Sequence, residues 1–540
     1  MSTATVPGGG GRRLSIRARL TIGLAAGLVW AVLRAGVDDE VVNVNGWPSF
    51  ASFWAALARP ELGREFLTLT ADAAAVTLSF AVLGTAAGLV IGALGGIVLS
   101  ERLMGRTPWW WSARALFAVP RSVHELLWAL IFVQVLGFDP LVAVLAIGVP
   151  FGAITAKVYA EAFDNADPAA YRTLRATGAG RITALAYGLV PNVAGELTSY
   201  SFYRLECAIR SAAVLGVIGA GGLGFQLDLS FETLRYAEIW TLIVALMILS
   251  GLADAWSSAV RRATGVWVNR VSLLGIGVLV PLAWWWVELD PRRLFSERTR
   301  RLGLDVVDQI VPPRLGPGGW GELIDASIDT VALTFLAMAI SASVGLVAGA
   351  VTARPVGLAA TRSADARGRD RLVGLGQAAV RQLLRLVLLL LRAVPAPMWA
   401  FLMVLVLFPG LWPGAVALGL YNLGVLGRLY AEIFEERDTG PGDVLLATGS
   451  SAPSAFFYGT LPAASPRLVS MAFYRSEVMI RESVVVGVVG AGGLGRLIAE
   501  HLAARDLAAV AGAIIVLVLL ALAIDVLSAG FRRQLLAPPS

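Results

Sequence analysis

The chain has 540 residues, of which 57% are hydrophobic and only 15% are charged. Soluble domains carry about 25% charged residues, so this composition excludes a water-soluble protein of several domains and places most of the chain in a lipid bilayer. The formal charge of +6 is typical of positive cytoplasmic loops rather than of nucleic-acid binding. A single cysteine, Cys207, excludes an intrachain disulfide and a thiolate metal cluster.

Twelve segments are predicted to span the membrane, because about 20 mainly apolar residues cross a bilayer as a helix. Two of them contain a proline, Pro120 or Pro395, at which the helix is expected to kink or break. The sequence therefore predicts an all-α polytopic membrane protein. In chain order the spans are 16–36, 70–99, 113–136, 139–161, 191–218, 238–260, 267–287, 323–353, 379–408, 412–434, 462–489 and 507–530.

Arginine is concentrated in alternate loops. Twelve spans put all of these loops on one side of the membrane, which we expect to be the cytoplasmic side, together with both termini. The loops of opposite parity carry Asp38, Asp39, Glu40 and the mixed-charge stretch 288–301. The arginines that orient the chain are Arg12, Arg13, Arg17, Arg19, Arg102, Arg106, Arg114, Arg261, Arg262, Arg270, Arg362, Arg367, Arg369, Arg371, Arg532 and Arg533.

An internal repeat relates the two halves of the chain. Residues 202–206 read FYRLE and residues 473–477 read FYRSE, and both are followed by GAGGLG, so the offset is 271 residues. Six spans in each half give the repeats the same orientation, related by a pseudo-two-fold axis along the membrane normal. We predict a first repeat at 1–265, with a cytoplasmic loop at 164–190, and a second repeat at 266–540, with a cytoplasmic loop at 435–461.

One helix of each repeat carries charges within apolar surroundings. A charge at the centre of a membrane helix costs about 2.5–3.5 kcal/mol, so these groups must face protein or water. Glutamate and arginine four residues apart can meet on one helix face, and arginine suits phosphate-like oxyanions. Two interpretations remain open: structural ion pairs, or a vestibule on a substrate pathway. The residues are Arg204, Glu206, Arg210, Arg475, Glu477 and Arg481.

The GAGGLG segments match the G-x-G-x-x-G pattern of dinucleotide-binding folds, but each follows a membrane helix instead of a strand. Glycine allows a tight non-helical turn, and irregular backbone at membrane depth is tolerated beside protein or a water-filled cavity. We therefore interpret the segments as parts of a gate. The gate residues are Gly219, Gly221, Gly222, Gly224, Gly490, Gly492, Gly493 and Gly495.

Each cytoplasmic loop contains a motif in which a glycine, Gly178 or Gly449, precedes a proline by 13 positions. Equal spacing in two loops indicates a helix–glycine–helix docking element rather than an ordinary connection. The docking positions are Arg172, Ala176, Thr177, Gly178, Asp443, Ala447, Thr448 and Gly449. His124 and His501 have no plausible metal companions, so we predict no metal site, and the sequence contains no G-x-x-x-x-G-K-[ST] phosphate loop.

The glycine–proline loop resembles the "EAA" coupling loop of ATP-binding-cassette (ABC) importer permeases. The run from Tyr203 to Gly224 is similar specifically to the phosphonate-importer permease subunit, as is the segment 234–236. The resemblance implies a type I ABC importer fold with two permease copies fused in one chain of the plasma membrane. It also implies two cytoplasmic ATPase subunits that bind ATP and Mg²⁺ and contact the docking positions, an extracytoplasmic binding protein, and no cofactor in this chain.

The chain departs from the family at two places. The family usually has glutamate six positions before the loop glycine, where this chain has Arg172 and Asp443, so the two loops are expected to differ in charge. The second charged helix has Glu482 where the first has Ser211, which predicts an asymmetric vestibule.

We predict the permease of an ATP-driven importer for phosphonate- or phosphate-type oxyanions, which works by alternating access and has no catalytic residues. The alternative is a secondary transporter with parallel repeats, driven by an ion gradient. A membrane enzyme acting on phosphorylated lipids is a third interpretation, but it requires a nucleophile–base pair or a metal cluster near the headgroups, and the sequence shows neither.

Overall fold

The computed structural model describes residues 16–36, 41–262, 266–354, 369–436 and 440–536, and these are almost entirely helical. An isolated bridge between Val42 and Leu407 is the one pairing of extended residues found in these ranges. The all-α prediction is confirmed. The repeat boundary at residue 265 and the charged positions 12, 13, 38–40, 362 and 367 lie outside the described residues.

The helices of the first half are Ile16–Ala35, Trp47–Ala56, Arg64–Leu99, Glu101–Met104, Pro108–Ser122, Glu125–Leu136, Pro140–Asn165, Ala169–Ala176, Arg181–Ala184, Val190–Leu215, Gly222–Glu232 and Tyr236–Arg262. Those of the second half are Val266–Trp286, Glu297–Ile310, Gly319–Thr352, Arg369–Ala393, Ala396–Val406, Leu411–Glu435, Pro441–Ala447, Ala452–Ala455, Leu461–Val486, Gly493–Ala503 and Leu507–Leu536. Short π-helical turns lie at Leu185–Leu189, Gly216–Ala220, Phe456–Thr460 and Gly487–Ala491, and 3₁₀ turns at Val44–Gly46 and Pro291–Phe295.

Each of the twelve predicted spans coincides with a helix or with two helices separated by a break. By length and composition alone, six unbroken helices can cross a membrane, and two bent pairs raise that number to eight. The predicted span 113–136 is one such pair, with a bend of 92° after Ser122, two residues beyond Pro120. The span 379–408 breaks at Pro395, as expected from the missing N–H of proline.

Each half is built on a pair of closely packed helices, Arg64–Leu99 against Pro140–Asn165 and Gly319–Thr352 against Leu411–Glu435. Glycine forms the contact: a Cβ atom added at Gly92 would lie 2.5 Å from the Thr155 side chain. Small residues allow helix backbones to approach closely in membranes, so these pairs form rigid cores that carry the charged helices.

The first helix of each sequence repeat packs on the other half. Ile16–Ala35 lies against Gly319–Thr352, where Arg34 pairs with Asp325 at 2.8 Å and with Asp329 at 2.7 Å. Val266–Trp286 packs in the same way against Arg64–Leu99. Each spatial half therefore contains one helix from the other sequence repeat, which a division of the chain at residue 265 does not reveal.

Candidate functional site

A polar cavity of about 150 Å³ lies between the halves. Its walls come from both charged helices, Val190–Leu215 and Leu461–Val486, and from the helices Pro140–Asn165 and Leu411–Glu435. Among the described residues, five arginines and two glutamates line it, so its electrostatic potential is positive. The arginine, glutamate and histidine residues of the wall are Arg121, Arg204, Arg210, Arg475, Arg481, Glu125, Glu482 and His124.

A larger groove of about 750 Å³ lies beside the first helix, where Leu24, Phe335 and Phe473 are among its walls. Its walls carry no charged side chain among the residues that the structure describes. The polar cavity is therefore the better candidate for an ionic substrate.

Arg204 packs against more aromatic rings than any other described arginine of the cavity. Its Nε and Nη2 atoms donate to the Tyr200 hydroxyl at 2.8 and 2.5 Å, and its guanidinium lies 5.0 Å from the ring centroids of Phe151 and Tyr200. Only 9% of the residue is exposed. In the described ranges no carboxylate forms an ion pair with it, so its charge is balanced by aromatic faces and one hydroxyl.

Arg475, the repeat equivalent of Arg204, belongs to a closed cluster. Its Nη2 atom lies 3.1 Å from Glu482 Oε1, and its Nε atom donates to Asn422 Oδ1 at 3.1 Å. Asn422 in turn donates to Glu482 Oε2 at 2.9 Å. The repeats therefore differ at a second pair of equivalent positions besides Ser211 and Glu482, because Asn422 stands where the first repeat has Phe151.

The two glutamate–arginine pairs expected from helical spacing behave differently. Glu206 and Arg210 approach to 3.5 Å. Glu477 and Arg481 do not pair: Glu477 lies 2.8 Å from Arg532 of the last helix, and Arg481 Nη1 donates to the carbonyl of Arg121. The expectation was wrong for this pair because other helices supply the partners: the last helix pairs with Glu477, and the helix Pro108–Ser122 accepts from Arg481.

Neither Glu206 nor Glu477 lines the cavity. Glu206 is bound instead by Arg428 of the second half, at 3.1 Å. The sequence interpretation missed this residue, together with Arg121 and Glu125 of the cavity wall. One signal could have found two of these sites: under the offset of 271, Lys157 corresponds to Arg428 and Arg121 to Arg392, so basic residues recur at equivalent membrane positions.

The glycine segments form tight turns at the ends of the charged helices, as predicted. Three glycines in each turn have positive φ angles, from +78° to +94° in the first half and from +70° to +99° in the second. The turns are Gly219, Gly221 and Gly222, and Gly490, Gly492 and Gly493. Each turn is fixed to its long helix, since Leu223 N donates to Thr77 Oγ1 at 2.8 Å and Leu494 N to Thr330 Oγ1 at 2.9 Å.

Gly224 and Gly495 serve a different purpose, because their φ angles are not positive. A Cβ atom at Gly224 would lie 1.8 Å from the Ala213 carbonyl oxygen, and one at Gly495 would lie 2.4 Å from that of Val484. The segment after each turn therefore folds back against the charged helix at a distance that only glycine permits.

The two predicted helix–glycine–helix loops are present. Ala169–Ala176 ends before Gly178 with φ +88°, and Pro441–Ala447 ends before Gly449 with φ +93°. Of the docking positions, Arg172, Ala176, Thr177, Ala447 and Thr448 are exposed. Asp443 is buried, so the charge difference between the loops is carried at the surface by Arg172.

Comparison with known proteins decides the family. Residues 84–265 and 372–536 each match the family described as the binding-protein-dependent transport system inner membrane component, and together they exceed half of the chain. The chain belongs to this family. It is a multi-pass membrane permease of the ABC importer class, with two permease units fused in one chain, and permeases of this class work with an ATPase and a substrate-binding protein.

Curated relatives are transport permeases rather than enzymes. The phosphate-import permease protein PhnE of Mycolicibacterium smegmatis is 29% identical over 433 residues, covering 78% of this chain and 77% of the relative. The phosphite transport system permease protein PtxC of Stutzerimonas stutzeri is 30% identical over 229 residues, 42% of this chain and 82% of the relative. The putative cryptic phosphonate transport system permease protein PhnE2 of Escherichia coli (strain K12) is 34% identical over 109 residues, 20% of this chain and 89% of the relative. No solved structure matches the chain at a significant level.

Proposed function

We propose that this permease conducts tetrahedral phosphorus oxyanions, of the phosphate, phosphite or phosphonate type. The observation that carries the proposal is the cavity between the halves, in which five arginines face two glutamates. Buried positive charge of this kind attracts anions, and the planar guanidinium matches the oxygens of a phosphate group. The names of the three relatives, which mention phosphate, phosphite and phosphonate, agree with that chemistry.

The proposed mechanism is alternating access driven from the cytoplasm. One ATPase subunit contacts each loop, at Gly178 and at Gly449, and holds the ATP and Mg²⁺. When the two ATPase subunits close on ATP, each moves the loop it contacts. The charged helix that follows this loop directly in the chain moves with it. The binding protein delivers the anion at the opposite face, where the glycine turns form the gate, and both termini lie in the cytoplasm.

Reconstitution tests the function. The permease is incorporated in liposomes with its cognate ATPase and binding protein, and uptake of radiolabelled phosphate, phosphite and methylphosphonate is measured. We expect ATP-dependent uptake of at least one of the three, and none with a non-hydrolysable ATP analogue. Uptake driven by an ion gradient without the ATPase would instead identify a secondary transporter, and uptake of none of the three would contradict the proposed substrate class.

A further inference from the structure

The two repeats contribute unequal walls to the cavity, although their sequences are closely related. Several positions around the equivalent arginines differ, and two of them change the partners of Arg475: Phe151 in the first repeat is Asn422 in the second, and Ser211 is Glu482. Both differences give the second-repeat arginine polar protein partners that the first-repeat arginine lacks. They place a hydrogen-bond acceptor and a carboxylate beside Arg475, and an aromatic face and a hydroxyl in the first half.

The charge of Arg475 is satisfied within the protein. It contacts Glu482 and Asn422, which are also bound to each other. An anion that approached Arg475 would meet the carboxylate of Glu482, another cavity-wall residue, at the same place. Repulsion between like charges in a site of low dielectric opposes binding there.

The charge of Arg204 is not satisfied in this way. The first half also has a carboxylate in the cavity wall, Glu125, but that group accepts a hydrogen bond from Ser211 at 2.5 Å and lies 3.6 Å from His124. Neither it nor any other described carboxylate pairs with Arg204. A buried cation with only aromatic and hydroxyl partners pays a large desolvation penalty, which an incoming anion would offset.

We propose that the cavity binds a single oxyanion on the first-repeat wall, at Arg204, while Arg475 is the internal counter-charge of Glu482 and does not bind the anion. Arg481, which also has no carboxylate partner in the part of the chain described, adds positive charge from the opposite wall. The binding site is thus one-sided in a permease whose repeats are otherwise equivalent. This inference rests on the proposed function.

Two variants separate the equivalent arginines. Arg204→Gln removes the anion partner. Arg475→Gln combined with Glu482→Gln removes the closed ion pair as a unit and leaves no buried charge unpaired. Arg475→Gln alone orphans Glu482 and is expected to impair assembly with the ATPase, and addition of Glu482→Gln should restore it. Such a rescue is the signature of a structural role and is not expected at Arg204.

Cys207 provides a direct readout of binding, because it is the only cysteine of the chain and lies in the cavity wall. The assembled complex, without its binding protein, is treated with the small neutral reagent methyl methanethiosulfonate, and modification of the Cys207 peptide is followed by mass spectrometry. Inorganic phosphate should slow this reaction in the wild-type complex. The concentration that gives half-maximal protection measures affinity within the cavity.

We expect Arg204→Gln to raise that concentration at least about tenfold, the effect of losing one hydrogen bond to a charged group, and to reduce phosphate uptake in parallel. Arg204→Lys, which keeps the charge but loses the planar fork, should fall between wild type and Arg204→Gln. The double variant should stay within about threefold of wild type, which is below the effect of one such bond. Co-purification of the ATPase shows that each variant is assembled.

Equal losses in the double variant and in Arg204→Gln would overturn the one-sided site, as would normal protection in Arg204→Gln. In both cases wild-type uptake of phosphate would still stand, so the proposed function would survive. If the wild-type complex transported none of the three anions, the proposed function would fail and the inference with it.

Discussion

Glu206 of the first repeat and Arg428 of the second form an ion pair of 3.1 Å across the boundary between the halves. Arg428 also lies 2.5 Å from Asp254 of the first repeat, and Asp254 lies 2.8 Å from Arg392 of the second. At the equivalent place in the other half, the one ion pair of Lys157 among the described residues is with Glu161 of its own helix, at 3.9 Å. Arg121 and Asp525, the equivalents of Arg392 and Asp254, lie 3.4 Å apart and also join the halves. The two places therefore differ at the position of Arg428, which pairs across the boundary where Lys157 does not.

Replacing Arg428 by methionine should destabilise the permease strongly. The change leaves two largely buried carboxylates, Glu206 and Asp254, without this cation, and breaking a buried pair in this way typically costs about 3–5 kcal/mol. Lys157→Met is the matched control, because its pair is partly exposed and such pairs contribute about 0–1 kcal/mol. The thermal unfolding midpoint of the purified complex measures both, and equal shifts would contradict the asymmetry.

The network also predicts a rescue. Glu206→Gln added to Arg428→Met removes one of the two carboxylates that lose a partner, so the double variant should recover part of the lost thermal stability. Lys157→Met combined with Glu161→Gln should show no comparable recovery, since little is lost at that site. A double variant less stable than Arg428→Met alone would show that Glu206 is held mainly by Arg210.

Alanine at Gly224 or Gly495 should prevent the segment after the glycine turn from packing on the charged helix. The added Cβ would lie 1.8 or 2.4 Å from a backbone carbonyl oxygen, and backbone cannot move aside as a side chain can. We expect loss of uptake with either variant. The control is Gly195→Ala in the first charged helix, where the described chain leaves the space around the new Cβ empty and alanine favours the helix by about 1 kcal/mol. The same loss with Gly195→Ala would show that the carbonyl contact is not the cause.

The fold could be predicted from the sequence because the patterns that indicate it are strong and local. Apolar length predicted the helical segments at all twelve positions, of which six to eight have the length and composition of a membrane span. The shared offset predicted the repeat, the glycine turns and the helix–glycine–helix loops. The exchange of first helices between the halves could not be predicted. The repeat pattern begins downstream of Ile16–Ala35, so it does not indicate which half that helix packs against.

The site was only partly accessible from the sequence. Spacing identified the arginines, since charge in an apolar segment stands out. It misassigned the partner of Glu477, because a pair four residues apart within one helix competes with Arg532 from another helix, and spacing cannot rank the two. It also gave no weight to Phe151 and Asn422, which decide how the equivalent arginines differ, because neither residue is charged.

The glycine of each helix–glycine–helix loop should matter for the proposed coupling to the ATPase rather than for packing. Gly178 and Gly449 have φ angles of +88° and +93°, and the described residues leave open space at both Cβ positions. Gly178→Ala therefore introduces backbone strain of about 1–2 kcal/mol without a clash. We expect weaker stimulation of ATP hydrolysis by substrate-loaded binding protein. Gly180→Ala, at a negative φ, is the control, and equal effects would exclude the conformational explanation.

Tyr187 and Tyr458 occupy equivalent positions at the two helix–glycine–helix loops and are 76% and 81% exposed. Large aromatic residues on a surface are typical anchors of protein interfaces, so each is expected to contact one ATPase subunit. Tyr187→Ala and Tyr458→Ala should each weaken co-purification of the ATPase, and the combined variant should abolish it while leaving the permease folded in its membrane.

Phe295 provides the control for this surface, because it lies in the stretch 288–301, which is predicted to face the non-cytoplasmic side. It is 88% exposed, yet the predicted topology places it on the side away from the ATPase. Phe295→Ala should therefore leave the amount of co-purified ATPase unchanged. Because an anchor residue typically contributes about 2 kcal/mol or more, each tyrosine variant should weaken the ATPase complex by at least about tenfold in a titration. Loss with Phe295→Ala, or full binding by the doubly substituted permease, would contradict both the assigned docking surface and the orientation of the chain.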